Sequence, residues 1–335
     1  MGHPRGTVAQ PQEAHALHSR PRVHPQEHPH LPRRTVLPHL RQRTCSAEKS
    51  GGIMMWHLGR LAALDFETTG TDPEDARIIE AYVGLVGGGQ PSIDRQPLLI
   101  DPGVEVPDEA TNVHGFTGEY LKQHGMPAAD GIGKIVSAVR AVWADGIPLV
   151  GHNIGQYDLT LLDREMARYG YGPLIDLMGG SYGPVIDTRP ISKHLDTWRR
   201  RVSPEQGAHA LKTCAQVFGI PWVDADAHGA RYDALIAARV AWRMGSIAAM
   251  PLADRPRIQS GRRDERHLFD DLAVDLPTLF ASQQRWAAEQ AASYQQFLRS
   301  PKAGDKRDEN AVIDGSWPVQ AARTHQPAAT QGATA

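Results

Sequence analysis

The chain has 335 residues, 41% of them hydrophobic, enough to enclose a substantial core, yet it has no apolar run near the roughly 18–20 residues that span a bilayer. Its 36 basic and 38 acidic residues leave a formal net charge of -2, so no global basic field announces tight duplex binding. Two cysteines, Cys45 and Cys214, exclude a disulfide framework and a Cys-type zinc site, and fit a reducing cytoplasm.

Residues 1–53 hold seven His and seven Pro with no apolar period, and read as a disordered tail or an over-extended gene start. Irregular His spacing and helix-breaking prolines argue against a metal-binding tract or a nucleic-acid arm. Leu61-Ala62-Ala63-Leu64 then reads as a buried strand that runs into Asp65-Phe66-Glu67-Thr68-Thr69-Gly70. On a strand, residues i and i+2 share a face, so Asp65 and Glu67 project side by side while Leu64 and Phe66 face the core. Paired carboxylates repel and resist burial unless a cation lies between them, and a hard divalent ion, Mg²⁺ or Mn²⁺, suits them. Thr68-Thr69-Gly70 reads as a tight turn whose backbone can approach a ligand.

Strands near 79–86 and 96–101 complete an antiparallel meander. A helix near 131–144 carries an apolar stripe, with Trp143 a core residue. A short strand near 147–151 leads to Gly151-His152-Asn153-Ile154-Gly155-Gln156-Tyr157-Asp158. Asn153 or Gly155 opens a helix near 155–169, with Asp158 in its first turn. After a strand near 185–188, Ala227-His228-Gly229-Ala230-Arg231-Tyr232-Asp233 opens an Ala-rich helix that runs to about Met250.

Taken together, Asp65/Glu67, Asp158 and His228/Asp233 resemble the three motifs of the DnaQ-like, DEDDh-type 3′–5′ exonucleases, with the epsilon subunit of bacterial DNA polymerase III as the nearest member type. The resemblance covers about residues 58–249. Asn112-Val113-His114-Gly115-Phe116-Thr117 is similar to the segment that lies against the terminal nucleotide in that family. Asp187-Thr188 and Ala210-Leu211-Lys212-Thr213-Cys214-Ala215 also match. One departure is an extra residue between Asn153 and Asp158, which leaves Asp163 as a fallback ligand. Arginine-rich, alanine-rich usage is typical of GC-rich genomes, with actinobacteria or their phages as sources.

The resemblance implies two ions, Mg²⁺ or Mn²⁺, held by Asp65, Glu67, Asp158 and Asp233, and hydrolysis that releases nucleoside 5′-monophosphates. His228 is implied as general base, a task for which imidazole is suited near neutral pH. Phe66, Thr68, Thr69, His114 and Asn153 are implied substrate contacts. Tyr157 and Phe116 read equally as base-stacking or core residues. The expected substrate is a single-stranded or frayed 3′ end of DNA. An RNA exonuclease of the RNase T or oligoribonuclease kind is the runner-up, since spacing does not show contacts to a 2′-OH. The reading from another class is a non-catalytic, polymerase-associated nucleic-acid-binding module. The complete acid set with His228 favours the enzyme.

The expected fold is α/β, a ribonuclease-H-like mixed five-stranded sheet flanked by helices, with a C-terminal helical extension. The expected organisation is a tail (1–53), the exonuclease domain (54–250), a linker (251–264), a helical extension (265–300) and a mostly disordered tail (301–335). Because residues 54–250 contain every motif, they are expected to act alone on short oligonucleotides, unless the C-terminal helix completes the core. Leu276-Pro277-Thr278-Leu279-Phe280 reads as a sliding-clamp peptide or, preferably, as a helix start docked on the exonuclease core. A polymerase partner is a further reading, a membrane partner is not expected, and the expected location is cytoplasmic.

Overall fold

In the computed structural model, which describes residues 55–204, 206–258 and 263–323, strand β1 (Arg60–Thr68) occupies the interior of the sheet. Its partners are β2 (Ile78–Gly87), antiparallel, and β5 (Leu149–Gly151), parallel. Beyond them lie β3 (Leu98–Asp101) with β4 (Met126–Pro127), and β6 (Val185–Asp187), giving the order β4-β3-β2-β1-β5-β6. The sheet is mixed as expected but has six strands rather than five. The two-residue β4 lacks any apolar period, and it forms because its backbone pairs with Ile100 and Asp101. The readings of residues 1–53, Cys45 included, lie outside the described residues.

Parallel neighbours need crossovers. The helices in chain order are α1 (Asp108–His114), α2 (Gly118–His124), α3 (Ala128–Ala144), α4 (Asp158–Arg168), α5 (Thr188–Leu195), α6 (Leu211–Val217), α7 (Ala230–Ala248) and α8 (Leu276–Arg299). Being covered on both faces makes the start of β1 continuously apolar. Leu61 and Ala63 pack in the core that includes α7, while Ala62, Leu64 and Phe66 pack in the core that includes α3 and α4. Asp65 and Glu67 continue the α7 face, so the alternation switches there from small apolar side chains to carboxylates.

The C-terminal segments belong to this core. Asp275 caps α8 by accepting from the Thr278 N–H at 2.8 Å, with Pro277 in the first turn. Gln283 is fully buried; its Oε1 accepts from the Asp187 N–H at 2.7 Å and its Nε2 donates to the Val185 carbonyl at 2.9 Å. That side-chain amide closes the open edge of β6. Leu279 is fully buried and Phe280 packs on Trp317, ring centroids 5.0 Å apart, so the Leu276–Phe280 segment is a docked helix start and not an accessible clamp peptide. Two further expectations are corrected. Within the expected 251–264 linker, buried Arg255 bonds the carbonyls of Ala248, Met250 and Arg266, which ties the described residues 251–258 to α7. Residues 301–323 are not a loose tail, because Trp317 and Ala311 are buried.

Trp317 lies against the loop after β5. A Cβ on Gly155 would come within 2.1 Å of the Trp317 indole nitrogen, so this position requires glycine. A chain ending at Met250 loses Phe269, Leu272, Leu279, Trp286 and Trp317, all buried. Each such side chain contributes about 1.5–3 kcal/mol, and their sum is comparable with the ~5–15 kcal/mol of a whole domain. The expected result is loss of the cooperative thermal transition seen by circular dichroism. A cooperative melt with full activity on short oligonucleotides would show instead that residues 54–250 stand alone.

Candidate active site

Asp65 and Glu67 emerge from the end of β1 on the side where α7 begins, and Asp233 lies in the first turn of α7. One carboxylate oxygen from each of the three falls within 4.8 Å of the others, all three residues being half-buried. Asp233 Oδ1 is buried with no hydrogen-bond partner. A buried acceptor without a donor is costly, and a cation answers it. The donor set, all carboxylate oxygen, suits a hard divalent metal.

Asp158, the first residue of α4, is buried at 3% exposure just behind this trio. Its Oδ1 accepts from the Phe66 N–H at 3.1 Å, which fixes it against β1. Asn153 adopts the left-handed conformation (φ 67°) that Asn tolerates, and around Asp158 the chain makes a wide turn in which the Leu159 N–H donates to the Ile154 carbonyl at 2.7 Å. Asp187 holds that loop by accepting from the N–H groups of Asn153 at 2.7 Å and Gly155 at 3.1 Å. The fallback Asp163 is occupied elsewhere, with Leu174 N–H and Arg164, each at 2.7 Å.

Burial, joined by mutual repulsion at Asp65 and Glu67, sets the titration of these groups. Burial, reinforced by Asp158, Glu67 and Asp233, pushes Asp65 well above the carboxylate range. Burial and then Asp233 raise Glu67 to about 8, and burial raises Asp158 to about 8. Burial takes Asp233 only to about 6, because the charge and backbone N–H of His228 oppose it. All four values exceed those of an unfolded chain, so the metal-free fold holds protons that the unfolded chain releases. The stability tied to these protons is complete below about pH 4 and is lost as pH rises through about 6 to 8. In EDTA, the melting temperature should therefore fall across that window, less so in Glu67→Gln, and saturating Mg²⁺ should remove the difference. A wild-type melting temperature that rises over the same window because of these groups, with Glu67→Gln steeper, would contradict it.

His228 sits on the exposed loop before α7 in the left-handed conformation (φ 62°). That conformation is uncommon for a non-glycine residue. Its backbone N–H and its charge both hold down the pKa of Asp233.

Glu80 was missed by sequence reasoning. It stands opposite Glu67 in the β1–β2 register, and its Oε2 accepts from the Ala230 N–H at 2.9 Å, the first residue of α7. A carboxylate at a helix N-terminus is favourable, and here it ties the His228 loop and α7 to the sheet. Alternation on β2 shows a polar residue there, but the role depends on register.

The substrate contacts divide. Phe66 is 5% exposed in the core, so its part is the backbone N–H that holds Asp158. Thr69 is buried, and its hydroxyl accepts from Arg77 N–H while its own N–H donates to the Arg77 carbonyl, which closes the turn between β1 and β2. Both side chains are buried. Thr68 bonds the Tyr157 hydroxyl at 2.6 Å and the Gly70 carbonyl at 2.8 Å, and Tyr157 also donates to Gly70. Tyr157 is therefore a tie between the start of α4 and the turn, not a free stacking ring. His114 is half-buried against the Thr68 backbone and stacks on Phe116, centroids 5.6 Å apart. Asn153 Oδ1 accepts from Arg189 at 2.6 Å.

A family model described as exonuclease matches residues 62–241. DNA polymerase III PolC-type of Ureaplasma parvum is 24% identical over 176 residues, and its Mycoplasma pneumoniae counterpart 25% identical over 169. These matches take in 52% and 50% of this chain, which spans only 11% and 10% of those two relatives. Among solved structures, E. coli Exonuclease I in complex with a dA16 oligonucleotide aligns over 63% of this chain and 42% of its own, at 16% identity and TM-score 0.47. The chain belongs to the exonuclease family, and residues 62–241 are its DnaQ-like 3′–5′ exonuclease domain.

Proposed function

We propose that this exonuclease removes nucleoside 5′-monophosphates from the 3′ end of single-stranded DNA, with two Mg²⁺ or Mn²⁺ ions held by Asp65, Glu67, Asp158 and Asp233. The observation that carries the reading is the convergence of Asp65, Glu67 and Asp233 oxygens within 4.8 Å, with Asp233 Oδ1 unpartnered. Asp158, behind them, adds the fourth charge. When bound, the ions neutralise the acids and stabilise charge on the attacking and departing oxygens of an in-line displacement.

The remaining work falls to the chain itself. His228 takes the proton of the attacking water through a neutral imidazole nitrogen, and Asp233 stabilises the imidazolium that results. Glu80 fixes the start of α7, and so the distance between His228 and the acids. His114 and Thr68 form the wall against which the terminal nucleotide rests. The net charge of -2 favours a few nucleotides of single strand over a long duplex. Two relatives bearing the name of DNA polymerases favour DNA over RNA and a task at 3′ ends left by synthesis.

Matched 3′-labelled single-stranded DNA and RNA, incubated with Mg²⁺, Mn²⁺ or EDTA, test the proposal. DNA should be digested faster, and EDTA should stop both reactions. Preferential digestion of RNA would replace the substrate assignment, and undiminished digestion in EDTA would remove the metals.

A further inference from the structure

Two adjoining cavities run along α5 and α8. The first, about 690 Å³, is lined by Asn153, Arg189, Lys193, Arg201, His209 and Tyr294 among others. The second, about 750 Å³, shares Lys193, His209 and Tyr294 with it and continues past Trp198 and Phe297 to Lys302. Asn153 lies on the loop that positions Asp158, so the groove begins at the catalytic end of the sheet.

The lining has the chemistry of a single-strand track. Among the described residues of the lining, Arg189, Lys193, Arg201 and Lys302 contribute four positive charges, and the one carboxylate is Glu289, which is turned to Arg285 at 3.9 Å. Burial and then Arg189 lower Lys193 to about 8, with Asp187 opposing, and no ion pair holds Lys193 among the described residues. Large aromatic side chains stand exposed on the same groove, Trp198 at 83%, Tyr294 at 49% and Phe297 at 41%, with the Tyr294 and Phe297 rings stacked. Exposed apolar rings interleaved with cations are costly to leave in water, and they match alternating bases and phosphates.

We propose that this groove binds the portion of a DNA single strand lying 5′ to the nucleotide being removed, with Arg189 and Lys193 on backbone phosphates and Tyr294, Phe297 and Trp198 on bases. The inference rests on the exonuclease reading for its polarity, but not for the binding itself. It gives α8 a role beyond completing the core. Stacking and phosphate contacts carry little sequence information, so the groove tolerates any sequence and sets how long a strand is held.

The test uses the full chain in EDTA and the fluorescence anisotropy of 5′-labelled dT12 and dT3. Wild type should bind dT12 far more tightly than dT3. Tyr294→Glu and Trp198→Ala should each weaken dT12 binding by roughly tenfold and leave dT3 unchanged. Lys193→Gln should lower the slope of log affinity against log salt by about 0.7 for dT12. With Mg²⁺ restored, Tyr294→Glu should raise KM for dT12 with kcat unaltered. Variants that bind dT12 like wild type, or that lose dT3 and dT12 equally, would overturn the groove. Tight dT12 binding sensitive to these variants but without hydrolysis in Mg²⁺ would uphold the groove and remove the exonuclease reading.

Discussion

Asp65→Asn is expected to lower the rate of nucleotide release by roughly 10³-fold or more at saturating DNA. The substitution keeps the shape of the side chain, so packing on the α7 face of β1 is undisturbed. What it removes is one negative oxygen from the trio that lies within 4.8 Å. The same change takes away a charge that Asp158, Glu67, Asp233 and Glu80 all oppose. Without metal, Asp65→Asn should therefore unfold at the wild-type temperature or above it, a pairing of lost activity and kept stability that a structural role would not produce. Retention of more than a few per cent of activity would sink the assignment of Asp65.

His228→Asn should lower kcat by 10²–10⁴-fold, about 3–5 kcal/mol of barrier, with little change in the metal concentration for half activity. Asparagine is the informative replacement because residue 228 has positive φ, a conformation that Asn tolerates and Ala resists. In wild type the rate should rise with pH as the base loses its proton. In the variant that limb should disappear. A rise in the required metal, with kcat recovered at high metal, would make His228 a ligand.

The paired acids on β1 were legible because strand alternation is local: Leu64 and Phe66 are buried, and Asp65 and Glu67 share the other face. His228 and Asp233 were legible from their fixed spacing at the opening of a helix. Side chains that work through backbone or register were not. Phe66 reads as a contact in the sequence, whereas its N–H holds Asp158, and Glu80 acquires its role only when β2 is laid beside β1 in one register. The C-terminal region was misjudged for a related reason. Trp317 packs against Gly155, and Gln283 bonds the Val185 carbonyl and the Asp187 N–H, tertiary contacts that no local period announces.

The measurement closest to the central claim follows single-stranded DNA labelled at one end or the other in Mg²⁺. With a 3′ label, labelled mononucleotide carrying a 5′-phosphate should be the first product. With a 5′ label, a ladder of shortening strands should precede any small product, and EDTA should abolish both. Early release of a 5′-labelled mononucleotide, internal cleavage, or products carrying a 3′-phosphate would contradict the account.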